Sequence, residues 1–400
     1  MDLHNYKRQF ERQIELVNES KEISAENKET ILNFSDYLLS EGIGFAKIGR
    51  YLLDLRKLSR MFNKPFTKAT ETDLRKVISL IEQSELAPES KKGFKVMLRK
   101  FYRFIRGITD KGVYPPEVKW ISIALTNKSH KLPEELLTEE EVHAIIRNCE
   151  CIRDKALIST LAESGCRVSE IGTLQIKHVF FETHGARLAV QGKTGARRVL
   201  VISSAPYLQT WINEHPKNDN PEAYLWYNPQ NTACLCYARI KTILNDAVRK
   251  AGIKKRVYPH LLRHSRATHL APIMSEAAMK QYFGWTQGSK MASIYIHMSG
   301  KETDEAILKA NGIIIEKEEK IAPTRPIVCM RCKTANESTN KFCKMCSFVL
   351  SEEAQKEVFK KETQKLEVHT FMESLLEDKE VLGLLMKKMQ EKNQDMGVAV

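Results

Sequence analysis

A chain of 400 residues is too long for one ordinary hydrophobic core and implies two or three domains. With 42% apolar and 28% charged residues it reads as soluble and globular, and no long apolar run offers a membrane span. The polar start Met1–Phe10 is unlike a secretory leader, so a cytoplasmic location is expected.

The net charge of +13 points to a polyanionic partner such as nucleic acid. Residues 1–130 carry 24 basic against 17 acidic side chains, 131–325 carry 27 against 21, and 326–400 balance at 12 and 12, so the first two regions are expected to meet phosphates. Of nine cysteines, Cys149, Cys151, Cys166, Cys234 and Cys236 are scattered among apolar neighbours, as core cysteines are, and four cluster within 329–346. A reducing compartment with one metal site fits this pattern better than a disulfide framework.

From Tyr6 to about Phe104 apolar residues recur three and four apart, as in Ile31, Phe34, Leu38 and Leu52, Leu55, Leu58, which predicts four or five helices. Thr70 with Asp73 reads as an N-cap with its acidic partner, and Pro88 opens the next helix. Basic runs at 47–60 and 91–100 stand beside Tyr51, Phe94, Tyr102 and Phe104, which favours a DNA-facing helical module over a merely solvated face. Gly107 to Pro133, with Pro115 and Pro116, reads as an interdomain linker. Thr138 to Glu141 is a capping box that opens a second domain. Helices are expected at Asp154 to Glu163 and Ser169 to Leu174, then a hairpin of Leu188 to Gln191 and Val199 to Ile202, then helices at Tyr237 to Lys250, Pro259 to Leu270 and Ser275 to Phe283.

Five fragments of the second domain carry chemistry, each unspecific alone. Gly165 ends a helix and aims Arg167 into a cleft, with Glu170 placed to hold the guanidinium. Lys193 stands at the hairpin tip between two glycines as a titratable ammonium, or simply as a soluble turn residue. Pro259 starts a helix on which His260 and Arg263 share one face near a positive N-terminus suited to a phosphate. His260 and His264 are also spaced as an i, i+4 metal pair, for which no third ligand is evident. Trp285 follows Gly284 at a helix end, and Tyr295 lies between Ile294 and Ile296, where a tyrosine would ordinarily be core.

In this order the fragments resemble the tyrosine recombinase (phage integrase) family, which includes the Xer-type resolvases. The resemblance spans about Leu137 to Leu308, and the helical region before it looks like that family's core-binding domain. It implies that Tyr295 is the nucleophile, that Arg167 and Arg263 grip the scissile phosphate, that Lys193 is the general acid for the leaving 5′ oxygen, that His260 assists proton transfer and that Trp285 positions the phosphate. Trp285 stands where many relatives have histidine, and the interval from Trp285 to Tyr295 is about one residue longer than in Xer-type members; the alternative phenol, Tyr282, precedes Trp285. Two guanidiniums stabilise the charge that builds on a phosphodiester under attack without a metal, and a phosphotyrosyl ester conserves the bond energy for religation. No nucleotide-binding loop is then required, and Gly192-Lys193-Thr194 lacks the upstream glycine of one.

Cys329 and Cys332 form one Cys-x2-Cys knuckle and Cys343 and Cys346 a second, a pattern that resembles a short zinc ribbon and predicts a structural zinc with no open coordination position. It looks like an appended adaptor. Beyond it Val368, Phe371, Met372, Leu375, Leu382, Leu385, Met386 and Met389 form an apolar stripe, expected to contact protein rather than DNA.

The expected architecture is mainly α with a small β-hairpin or sheet in the catalytic domain. A helical DNA-binding domain at 1–110 and a linker at 111–133 precede an α+β catalytic domain at 134–312, a zinc-ribbon-like module at 326–350 and an amphipathic helical tail at 351–395. The expected activity is site-specific DNA recombination, by integration and excision or by dimer resolution, with double-stranded DNA as partner and a tetramer formed on two duplexes. The rival readings are a non-cleaving DNA-binding regulator with the same fold and a type IB topoisomerase-like relaxing enzyme.

Overall fold

The computed structural model describes residues 3–62, 64–124, 135–228, 233–299 and 324–360, with positions 308, 363, 364, 381, 383 and 386–388. Two compact units are present: Met1–Leu136 with Asn228–Ile240, and Leu137–Tyr227 with Lys241–Val400.

The first unit is helical. Its helices are α1 (Tyr6–Asn18), α2 (Ala25–Ser40), α3 (Phe45–Ser59), α4 (Glu71–Gln83), α5 (Pro88–Ile105) and the single turn α6 (Pro116–Lys119). Local chemistry sets the starts: the Ser24 hydroxyl caps α2, Thr70 and Asp73 close a reciprocal capping box on α4, and Pro88 occupies the first turn of α5. The predicted stripe Ile31, Phe34, Leu38, Leu52, Leu55, Leu58 is buried at its centre, with Phe66, Phe101 and Tyr102.

Two expectations change here. Tyr51, Phe94 and Tyr102 are core side chains, not part of an exposed basic face, because they sit on the inner stripe of α3 and α5 while the cations flank them. Several of those cations are also paired internally, as in Arg50–Asp54, Lys100–Glu41 and the Arg99 guanidinium 3.7 Å above the Tyr114 ring. The supposed linker is partly structured: Val118 and Ile121, three residues apart around α6, are buried in the first unit's core. Its end, 125–134, lies outside the described residues.

The second unit begins at α7 (Glu139–Arg147), opened by the Thr138–Glu141 capping box, followed by α8 (Ile152–Ser164) and the short α9 (Val168–Gly172). An antiparallel sheet of order β1-β2-β3 comes next, with β1 (Val179–Glu182), β2 (Gly185–Gly192) and β3 (Gly195–Val201), in the register Leu188↔Val199 and Gly192↔Gly195. The hairpin therefore lies where the sequence places it, with longer strands. The edge strand β1 has no apolar alternation that would reveal it: three of its four residues are exposed. Then come α10 (Ala205–Glu214), α11 (Tyr237–Lys250), which starts in the segment grouped with the first unit, α12 (Pro259–Leu270), α13 (Glu276–Phe283), α14 (Met291–Ser299) and a two-stranded sheet of β4 (Ile327–Val328) and β5 (Ala335–Asn336).

Cys149 and Cys166 are buried as expected, but Cys151 and Cys236 are exposed, because each immediately precedes a helix start. The tail positions Val368, Phe371, Met372, Leu375, Leu382, Leu385 and Met389 lie outside the described residues, and Met386 is exposed. Among the described residues no helix is long and apolar enough to cross a membrane.

One carboxylate joins α8 to the start of α10. Glu163 accepts from the backbone amides of Ile202 at 2.7 Å, Ser203 at 2.9 Å and Ser204 at 2.7 Å, which would otherwise be unpaired donors at a helix entry. Glu163→Ala should lower the stability of the second unit by about 2 kcal/mol, read as a shifted urea midpoint at unchanged slope.

Candidate active site and metal centre

The site is built on the turn between α8 and α9. Gly165 caps α8 at φ 57, and a Cβ there would come within 2.5 Å of the Phe283 ring, so both backbone conformation and space require glycine. The turn aims Arg167, whose backbone amide and Nη1 both donate to the Glu170 carboxylate at 2.9 Å. The predicted partnership of Arg167 and Glu170 is therefore present. Glu170 is buried against the hairpin so closely that a Cβ on Gly192 would overlap its Oε1.

α12 supplies the next groups. Arg263, 3% exposed, donates through Nη1 to the Gly165 carbonyl and through Nη2 to the Phe283 carbonyl, both at 2.8 Å, joining the ends of α8 and α13. Its guanidinium lies 5.2 Å from the Phe283 ring and 5.5 Å from the Trp285 ring. Burial, then the nearby Arg167 charge, pushes its pKa down to about 10, so it remains a cation at neutral pH. His260, one turn earlier, keeps an exposed edge, and desolvation followed by the charges of Arg263 and Arg167 holds it below the usual imidazole value. It is thus in the same electrostatic neighbourhood as both arginines.

Tyr295 is on α14 and only 3% exposed, packed with Ala267, Ala271, Met279, Phe283 and Ala292. Its ring stacks on Trp285 at 5.6 Å and 4°, and Trp285 stacks in turn on Phe283 at 4.9 Å. Burial, partly offset by Arg263, pushes the phenol up to about 12. The Tyr295 hydroxyl is hydrogen-bonded to Nδ1 of His264, whose ring lies edge-on to His260 at 4.6 Å. His264 is thus the phenol's partner here, where the sequence offered only a metal-pair reading. The signal that could have found it is its position one turn after His260 on the same helix face.

Lys193 is exposed at the two-residue turn of the hairpin. Its neighbour Thr194 donates to the Gly284 carbonyl at 2.9 Å, which fastens the tip to the residue before Trp285. Arg197, on β3, was not singled out from the sequence, yet it grips Glu170 with two bonds of 3.0 and 2.9 Å. Tyr282 is directed elsewhere, donating to the Glu163 carbonyl at 3.3 Å.

The four knuckle cysteines converge, with their sulfurs within 4.8 Å of one another, Cys329 to Cys346 at 3.6 Å and Cys332 to Cys343 at 3.5 Å. Tetrahedral Zn–S bonds of about 2.3 Å separate sulfurs by about 3.8 Å, so this donor set fits zinc. The module around it is docked on α10 of the second unit, not loosely appended: Tyr207 hydrogen-bonds Ser338 and Thr339 at 3.2 Å, and Thr210 donates to the buried Glu337 carboxylate at 2.9 Å.

Residues 135–302 match the family described as the phage integrase family. Over 290 residues the chain is 27% identical to the tyrosine recombinase XerC of Oceanobacillus iheyensis, covering 70% of this chain and 86% of that protein. The stretch 135–302 is a phage integrase family domain, and the chain is similar to the tyrosine recombinases. Its activity is accordingly that of a site-specific DNA recombinase, a DNA strand-transferase. The recombinase shares its mainly helical fold with the crystal structure of XerH bound to a palindromic difH substrate (TM-score 0.55, 21% identity, 77% of this chain and 97% of that one). A lambda integrase tetramer bound to a Holliday junction has a TM-score of 0.52 at 15% identity, covering 67% of this chain and 76% of the other.

In this recombinase the depressed His260 value has a consequence for stability. His269, on the same helix, is also held low, first by burial. A histidine whose folded pKa lies below its unfolded value near 6.5 is protonated first in the unfolded state, so its effect is absent above that pH and destabilising below it. The melting temperature of the second unit should therefore fall as pH drops from 7 to 5, and the double variant His260→Gln, His269→Gln should flatten part of that fall in calorimetry.

Proposed function

We propose that this recombinase cleaves DNA by attack of the Tyr295 hydroxyl oxygen on a phosphodiester. The new bond is a 3′-phosphotyrosyl ester, and the bond from phosphorus to the 5′ oxygen breaks. The observation that carries this reading is the convergence, around Trp285 and Phe283, of the Tyr295 ring and the Arg263 guanidinium, with Arg167 and His260 within electrostatic reach.

Arg167 and Arg263 neutralise the nonbridging oxygens as charge builds on them. Lys193 delivers a proton to the leaving 5′ oxygen from the hairpin tip. His260 assists proton transfer, and the phenol proton has an acceptor in His264. Trp285 positions the phosphate and supports the Tyr295 ring. The reverse attack by a 5′ hydroxyl on the ester rejoins a strand without an external energy source.

Double-stranded DNA carrying a specific site is the substrate, the basic helical region at 1–110 serves as the DNA-binding domain, and residues 134–312 form the catalytic domain. The likeness to the junction-bound lambda integrase tetramer supports assembly as a tetramer on two duplexes, for integration and excision or for dimer resolution. Cys329, Cys332, Cys343 and Cys346 hold a structural zinc. No particular observation favours a non-cleaving regulator or a relaxing enzyme.

Nicked duplexes of randomised sequence, incubated with the protein and resolved in detergent, test the reading. Wild type should form a detergent-resistant covalent adduct on a recoverable sequence, and Tyr295→Phe, which removes one oxygen, should abolish the adduct while sparing binding. Adduct formed by that variant would move the nucleophile elsewhere.

Chelation provides a separate check on the module. It should release stoichiometric zinc and lower the melting temperature of the full chain, because the segment docked on α10 is anchored by the site; an unchanged melting curve after zinc loss would contradict that coupling.

A further inference from the structure

Arg197 belongs to none of the motif fragments. Its side chain, 11% exposed, reaches from β3 to the 1% exposed carboxylate of Glu170, with Nη1 to Oε1 at 3.0 Å and Nη2 to Oε2 at 2.9 Å. The same guanidinium donates through Nε to the Tyr282 carbonyl at 2.9 Å and through Nη2 to the Cys166 sulfur at 3.4 Å. One largely buried cation therefore joins the sheet, α9 and the end of α13.

Glu170 consequently receives four donors: two from Arg197, the Arg167 amide and Arg167 Nη1. A carboxylate offers about four lone-pair sites, so its capacity is filled. Arg167 is left with a single side-chain bond to it, and 32% of the Arg167 side chain stays open to solvent.

We propose that Arg197 is a positioning residue that saturates Glu170 and so keeps Arg167 available to the scissile phosphate. The inference rests on the reading that Arg167 grips that phosphate. A buried carboxylate facing one guanidinium in low dielectric closes on it in a two-bond fork. Without Arg197, Glu170 would close on Arg167 in this way and withdraw it from the substrate. A second consequence acts through the Tyr282 carbonyl: Arg197 holds the end of α13, where the next carbonyl, that of Phe283, orients Arg263 and where Trp285 meets Tyr295.

The test uses the full chain and the duplex sequence recovered from wild-type adducts. Arg197→Met should slow adduct formation about 100-fold, the scale expected when a catalytic group is displaced by about an ångström, while binding to the same duplex persists. Adding Glu170→Gln removes the charge that captures Arg167, so the double variant Arg197→Met, Glu170→Gln should cleave about tenfold faster than Arg197→Met alone. A purely structural role predicts the opposite, a double variant slower than either single one. Circular dichroism melting of each variant establishes folding; if Arg197→Met does not fold, Arg197→Lys with and without Glu170→Gln provides the same comparison. Near-wild-type cleavage by Arg197→Met, or no gain on adding Glu170→Gln, overturns the proposal. Arg167→Ala is the control: if it still cleaves, the phosphate-gripping reading fails and this inference with it, whereas an inactive Arg167→Ala beside a fully active Arg197→Met rejects the inference alone.

Discussion

Two guanidiniums brought close together repel, and in the second unit the Glu170 carboxylate lies between those of Arg167 and Arg197. Burial alone would raise the Glu170 carboxyl, but the hydrogen bonds and charge of Arg197, together with the bonds from Arg167, carry it below the usual value and keep it ionised. Much of the local architecture follows from that buried anion. α9 must start where the Arg167 amide can point at Glu170, the hairpin must offer a glycine where the carboxylate approaches, and β3 must be in the register that turns Arg197 inward. Positive charge can then be assembled before any phosphate arrives, without the full repulsion of three neighbouring cations.

The aromatic side of the site obeys a different constraint. Trp285 is a flat, apolar support, so Tyr295 can stack on it and be excluded from water, which is also why the phenol is pushed up to about 12. A histidine at that position would present a smaller, more polar surface. The tryptophan favours ordered seating of the Tyr295 ring, with the hydroxyl left to His264.

Much of this was legible in the chain because the informative residues act locally. The capping boxes at Thr70 and Thr138, the proline starts at Pro88 and Pro259, the glycine stop before Arg167 and each of the two Cys-x2-Cys pairs depend on residues a few positions apart. What stayed hidden depends on distant partners. Arg197 looks like any strand cation until β3 is laid beside α9, and His264 becomes informative only when α14 brings Tyr295 to it. Tyr51, Phe94 and Tyr102 stand close to cations in sequence, which does not say which face of a helix they share, and all three are buried. The strand β1 and the single turn α6 are too short to carry a periodic pattern.

The contact between the cysteine module and α10 ties the stability of each part to the other. Tyr207 and Thr210 direct their hydroxyls to Ser338, Thr339 and Glu337, and the buried Glu337 carboxylate relies on Thr210 for its hydrogen bond. A chain shortened to end near 312 would leave that face of α10 bare, and a foreign module joined at the same point would bring no matching groups. The two parts are therefore energetically coupled: substitutions at 207 and 210 on one side and at 337–339 on the other act on the same hydrogen bonds, so their effects on stability are not independent.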